Sequence, residues 1–206
     1  MDITERVAIC VLVVFVAAVG VGGGSGNADL DKVYRCVAYA PGGGVAVVRA
    51  NGETLGRGVP SSCIAILRDL RRENKKATAI AFHPDGGWVV VYGKRGYRAR
   101  RIPGDLAFEL AKANSQGETI YSVAFAADGG WVLLTSKRWR WRGDVPETLR
   151  ARMKAASDAG CSLQNVSFNA RNGWRLICID KNCKTISYES GADKAQRMIG
   201  RCRNWS

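Results

Sequence analysis

The segment KRWRWR, Lys137 to Arg142, sets four cations and two indoles into six residues. A related segment, KRGYRARR, runs from Lys94 to Arg101, 43 residues earlier, with the same Lys-Arg opening. In an extended strand, successive side chains point to opposite faces. Trp139 and Trp141 then share one face, and Arg140 and Arg142 share the other. Tyr97 and Ala99 oppose Arg98 and Arg100 in the same way. A guanidinium fork donates paired hydrogen bonds to phosphate, sulfate or carboxylate. Aromatic rings stack on bases and sugar rings, or rest at a lipid interface. The expected ligand-binding set is therefore Lys94, Arg95, Tyr97, Arg98, Arg100, Lys137, Arg138, Trp139, Arg140, Trp141 and Arg142, with Lys94 matched to Lys137 and Arg95 to Arg138. Adjacent units could join these arginines into one stripe. The plainer reading of the same residues packs the aromatic face inward on a helix and leaves the arginines to solvate the outside.

Residues for bond-making chemistry are sparse. His83 is the one histidine, and no G-x-S-x-G, H-E-x-x-H or P-loop pattern occurs. Asp85 and Asp128 could form a carboxylate pair, but turn chemistry already accounts for them. No C-x-x-C pair is present, so a zinc site is not indicated. The expectation is a protein without catalytic residues, metal or cofactor; an unrecognised hydrolase is the remote alternative.

Charge points to a partner. The 206 residues carry a formal net charge of +13 with 47% apolar composition. Such a balance suits an acidic polysaccharide, a nucleic acid or an anionic lipid surface. Plain solubility is the bland alternative, and a protein partner is the second functional one.

The elements that must position the basic segments follow from a repeat. AYAPGGGV begins at Ala38, AFHPDGGW at Ala81, AFAADGGW at Ala124 and SFNARNGW at Ser167, a spacing of 43 each time. Pro60, Pro103 and Pro146 hold the same register, and Glu189 takes that slot in the fourth unit. Alternating segments such as ATAIAF and IYSVAF predict a first strand. The Gly-Gly that follows predicts a tight turn, and GWVVVY or GWVLLT a second strand. A short third strand ends at the proline, which opens a helix without losing a needed N–H. Helical spacing of Ile64, Leu67 and Leu70, of Leu106 and Leu110, and of Leu149 and Met153 supports three helices. GADKAQRMIGRC, Gly191 to Cys202, is expected to be the fourth. The repeated Trp88, Trp131 and Trp174 are expected to pack between units, with a row of ligand-stacking indoles as the sharper option.

The fold expectation is an α+β repeat protein of four 43-residue β-β-β-α units, closed in a ring or stacked as a short array. The units span about 33–75, 76–118, 119–161 and 162–206. The F-x-P-D-G-G-W segment resembles blades of the WD40 and related β-propeller families, which implies radially arranged small sheets. The mixed units resemble the pentein α/β-propeller architecture, although that has five units and this chain four. Each unit here ends in a helix where a WD40 blade has a fourth strand, and no Trp-Asp blade ending occurs.

Residues 1–28 read as a targeting segment. Val7 to Val21 is a run of fifteen uncharged, mostly apolar residues, and GGGSGNA leads from it to Asp29. The run is short for a membrane span and fits the core of a secretory signal, although Asp2 and Glu5 oppose the usual positive start. A membrane anchor at residues 7–21 and a buried N-terminal strand are the alternatives. Residues 29–206 form the expected single repeat domain, secreted or periplasmic. Without Cys10, six cysteines remain: Cys36, Cys63, Cys161, Cys178, Cys183 and Cys202, an even count that suits up to three disulfides in an exported chain. Cys178 and Cys183 could pair across a hairpin.

Overall fold

The computed structural model describes residues 34–169, 172–182 and 184–190, with backbone alone at 34 and at 196–201. The targeting segment, Cys183 and Cys202 lie outside the described residues.

The 43-residue repeat is built as four small antiparallel sheets. The first holds β1 (Tyr34–Ala40), β2 (Gly44–Arg49) and β3 (Thr54–Arg57), and α1 (Ser61–Arg72) follows. The second holds β4 (Ala77–Phe82), β5 (Trp88–Tyr92) and β6 (Gly96–Arg100), followed by α2 (Gly104–Ser115). The third holds β7 (Ile120–Phe125), β8 (Trp131–Thr135) and β9 (Trp139–Arg142), followed by α3 (Glu147–Asp158). The fourth holds β10 (Ser162–Phe168), β11 (Trp174–Ile179), β12 (Lys184–Glu189) and β13 (Gln196–Arg201). The turn between the first two strands of each unit needs one left-handed residue. Gly43, Gly86, Gly129 and Asn172 fill that slot, with φ of 86°, 81°, 83° and 56°. Asparagine is among the few side chains that tolerate it.

Each helix starts directly after its proline, while the third strand ends three or four residues before that proline. The helices lie between successive sheets. One face of the second sheet, with Ile80, Phe82, Trp88 and Val90, packs on α1 and the first sheet. Its other face, with Val89 and Val91, packs on α2 and the third sheet. The third and fourth sheets enclose α3 in the same manner. Hereafter the face toward the preceding unit is the back, and the face toward the unit's own helix is the front. The first strands of the units pack in series: β1 on β4, β4 on β7, β7 on β10. They form the inner edge of the stack, and the third strands lie at its outer edge.

The tryptophans tie the units together. Trp88 Nε1 donates to Ser62 Oγ at 3.0 Å, Trp131 Nε1 to Asp105 Oδ1 at 3.1 Å, and Trp174 Nε1 to Thr148 Oγ1 at 3.0 Å. Each tryptophan is buried and reaches the first turn of the preceding unit's helix. The first unit carries Val45 in that position and has no preceding helix among the described residues.

Three expectations are corrected. The fourth helix, expected over Gly191–Cys202, is not formed: residues 196–201 are β13, antiparallel to β12, and 191–195 and 202 lie outside the described residues. α1 to α3 each lie between two sheets, and among the described residues no fifth sheet lies beyond the fourth. The chain is accordingly mostly β, not α+β, with three helices among the described residues. Finally, Cys36, Cys63, Cys161 and Cys178 are free thiols, so no disulfide braces the described part.

Candidate functional site

The basic segments form the outer-edge strands β6 and β9. Register fixes their faces. Arg98 lies opposite Val90 and Arg100 opposite Trp88, so both guanidinium groups stand on the back face of the second sheet. Arg140 opposes Leu133 and Arg142 opposes Trp131, which gives the same placement in the third sheet. All four arginines are exposed. Tyr97 and Ala99 turn to the front and pack against the core that contains Leu106 and Leu110 of α2. Trp139 and Trp141 likewise pack half-buried against the α3 core. The Arg150 guanidinium covers the Trp141 ring at 4.4 Å. The rings and cations thus separate to opposite faces as alternation predicts, with the rings half-buried against the helices.

The two arginine rows are not one continuous stripe. The back of the second sheet faces the α1 side, and the back of the third faces α2. Arg98 is held by Tyr92, whose hydroxyl accepts from Nη1 at 2.7 Å and whose ring lies 5.4 Å beneath the guanidinium. Lys75 lies 5.4 Å over the same ring and bridges to Glu73 at 2.6 Å. Lys75, and to a smaller degree Arg98, hold the Glu73 carboxyl below its ordinary range. Lys94 and Arg95 are exposed in the β5–β6 turn, and Lys137 is exposed in the β8–β9 turn.

Arg138 differs from its expected match. The third unit's turn is one residue shorter: Tyr92 pairs with Gly96, whereas Thr135 pairs with Arg138. This puts Arg138 in the slot of Gly96 and not that of Arg95. Its side chain turns inward to the buried Glu118 carboxylate at 3.2 Å. Thr135 Oγ1 donates to the same carboxylate at 2.7 Å. Arg138 is therefore a structural ion-pair partner.

Two basic features were missed by sequence reasoning. An open groove of about 560 Å³ borders β6 and α2, and Arg101 lines it beside Arg98 and Arg100. A second groove of about 530 Å³ lies between β3 and α1 and carries Arg68, Arg71, Lys75 and Lys76. The helical spacing of Arg68 and Arg71 was visible in the sequence. That β3 lies beside them was not.

His83 is buried where its turn meets the third unit. Its ring meets Phe125 edge-on at 5.0 Å, and Nδ1 accepts from the Asp85 backbone N–H at 3.2 Å. Asp128 accepts from Asn172. These groups close turns and join neighbouring units. Among the described residues no group of three His, Cys, Asp or Glu side chains could hold a metal ion.

A stack of small antiparallel sheets with basic outer edges is thus the class of molecule on view. No protein-family model matches the chain, and no curated protein does. Among solved structures it is similar to the β-propeller domain of Myceliophteria thermophila Cps50 (Swd1), with 9% identity over 82% of this chain and 56% of that one, at a TM-score of 0.36. It is also similar to YCF48 bound to D1 peptide, with 9% identity over 82% of this chain and 54% of that one, at a TM-score of 0.26. The chain spans about half the length of these structures.

Proposed function

We propose that this chain is a non-catalytic binding module, exported from its cell, that takes an anionic macromolecule on its outer-edge strands. The observation that carries the reading is the placement of Arg98, Arg100, Arg140 and Arg142, all exposed, on two outer strands of a repeating frame. The frame repeats while this slot varies: the first unit has Leu55 and Arg57 there, and the fourth has Tyr188 and Ser190. A device needed for folding would recur in every unit, whereas a site grafted on a scaffold need not. Lys94, Arg95 and Lys137 widen the positive field. Tyr97, Trp139 and Trp141 support the strands from the packed side. Export rests on the signal-like residues 1–28.

The test is a titration with heparin, duplex DNA and a neutral polysaccharide at low and high salt. The reading expects salt-sensitive binding of the anions alone. Absence of anion binding by folded protein would overturn it.

A further inference from the structure

Among the described residues, the last strand of each of the first three sheets has an unpaired outer edge, because β3, β6 and β9 each pair on one side. The fourth sheet is different. There β13 pairs antiparallel with β12, the strand in the equivalent position. The scaffold therefore accepts a fourth strand on this edge, and three edges lack one among the described residues.

Grooves border both β3 and β6, and the edge of β6 stands apart in the residue that follows it. The groove of about 560 Å³ runs along β6, with arginines and the apolar Ala99, Ile102 and Ala107 in its lining. The residue that follows the edge strand adopts left-handed backbone in three units: Gly58 with φ 66°, Arg101 with φ 50° and Gly143 with φ 68°. Two units use glycine, which takes this conformation without steric cost. The second unit keeps the conformation but sets a guanidinium there, against the steric preference of every residue with a Cβ. Edge protection does not explain the choice, since Arg98 and Arg100 already supply charge on that strand. Nor does packing, because Arg101 is exposed.

We infer that the β6 edge is a docking site for an extended acidic polypeptide, which adds to the second sheet as a fourth strand and sets carboxylates against Arg98, Arg100 and Arg101. This rests on the anion-binding reading above and names its partner. Strand addition supplies main-chain hydrogen bonds, and alternate side chains supply specificity. Carboxylates at every second position would meet the arginines of the back face. Apolar residues between them would lie toward Ala99, Ile102 and Ala107. A second copy of β6 would instead oppose arginine to arginine, which disfavours self-pairing. The β9 edge is less open: Arg140 Nη1 already donates to its own edge carbonyl, Trp139 O, at 3.0 Å, whereas the matching contact from Arg98 to Tyr97 O is 3.5 Å.

The experiment uses the folded chain and a labelled nine-residue peptide of alternating Glu and Val, read by fluorescence anisotropy. Two further peptides carry N-methyl groups on the glutamates or on the valines. They keep the charge and remove one set of backbone donors. The expected result is binding of the parent peptide, a loss of roughly tenfold or more in one N-methylated version, and a similar loss in Arg101→Gly. Arg101→Gly is expected to keep the fold, since Gly58 and Gly143 occupy its slot. Equal binding of both N-methylated peptides would overturn strand addition while leaving anion binding intact. Unchanged peptide affinity in Arg101→Gly would overturn the role of that residue and with it the proposed site. Binding of heparin without binding of the peptide would overturn the inference alone. Failure of the folded chain to bind any anion would overturn both.

Discussion

Trp131 donates to a carboxylate, Asp105, whereas Trp88 and Trp174 donate to hydroxyl groups. Hydrogen bonds to a charged group contribute about 1.5–3 kcal/mol, against about 0.5–1.5 kcal/mol between neutral groups. Replacing Trp131 with Phe should therefore lower stability more than the same change at Trp88 or Trp174, as read from urea midpoints. The 43-residue spacing of the tryptophans was legible in the sequence. Their partners Ser62, Asp105 and Thr148 share that spacing but differ in type, so the bond itself was not. Thiols add a pH dependence at this scale. Burial pushes the Cys63 thiol up to about 12. Cys178 is also pushed to about 12, first by burial and then by the nearby Cys161. The folded state holds these protons more tightly than the unfolded chain, whose thiols titrate at their ordinary value near 9. Their contribution to stability is complete below about pH 9 and is lost as pH rises from about 9 to 12. Urea midpoints should be level from pH 7 to 8 and lower at pH 10.5, and Cys63→Val should lessen the fall.

At the scale of the element, strands and three helices could be read because period and punctuation agreed: alternation, a Gly-Gly turn, then a proline at a helix start. The last element could not. GADKAQRMIGRC carries helical spacing, yet α1 to α3 each lie between two sheets, and local sequence does not reveal that residues 196–201 pair with β12 instead. The β8–β9 hairpin shows a second limit. KRWRWR and KRGYRARR look aligned from their first residue, but the shorter turn shifts the register and sends Arg138 inward to Glu118. Replacing Glu118 with Ala should leave Arg138, whose side chain is 17% exposed, without its carboxylate. Loss of one partner from a buried pair costs about 3–5 kcal/mol, and partial exposure of Arg138 places the expected cost at or below about 3 kcal/mol. Chemical denaturation would measure it. Anion affinity should persist in the same variant, because Arg98, Arg100, Arg140 and Arg142 stay on the outer strands.

For the molecule as a whole, repetition leaves unlike ends. In the second, third and fourth units, Ile80, Val123 and Val166 on the back faces are buried against the preceding unit. The first unit has no preceding unit among the described residues, and Tyr39 and Leu55 stand about half exposed on its back face. Between the ends, a net charge of +13 surrounds two outer strands whose exposed arginines repeat in register. That field was visible from composition, and the separation of the two rows by α2 was not. The direct test of anion binding is an affinity titration with heparin across a salt series, comparing the wild type with an Arg98→Ser, Arg100→Ser, Arg140→Ser, Arg142→Ser variant of matched melting temperature. The account predicts salt-sensitive binding by the wild type, with at least about 100-fold loss and a flatter salt slope in the variant. Wild-type affinity and an unchanged slope in the folded variant would contradict it.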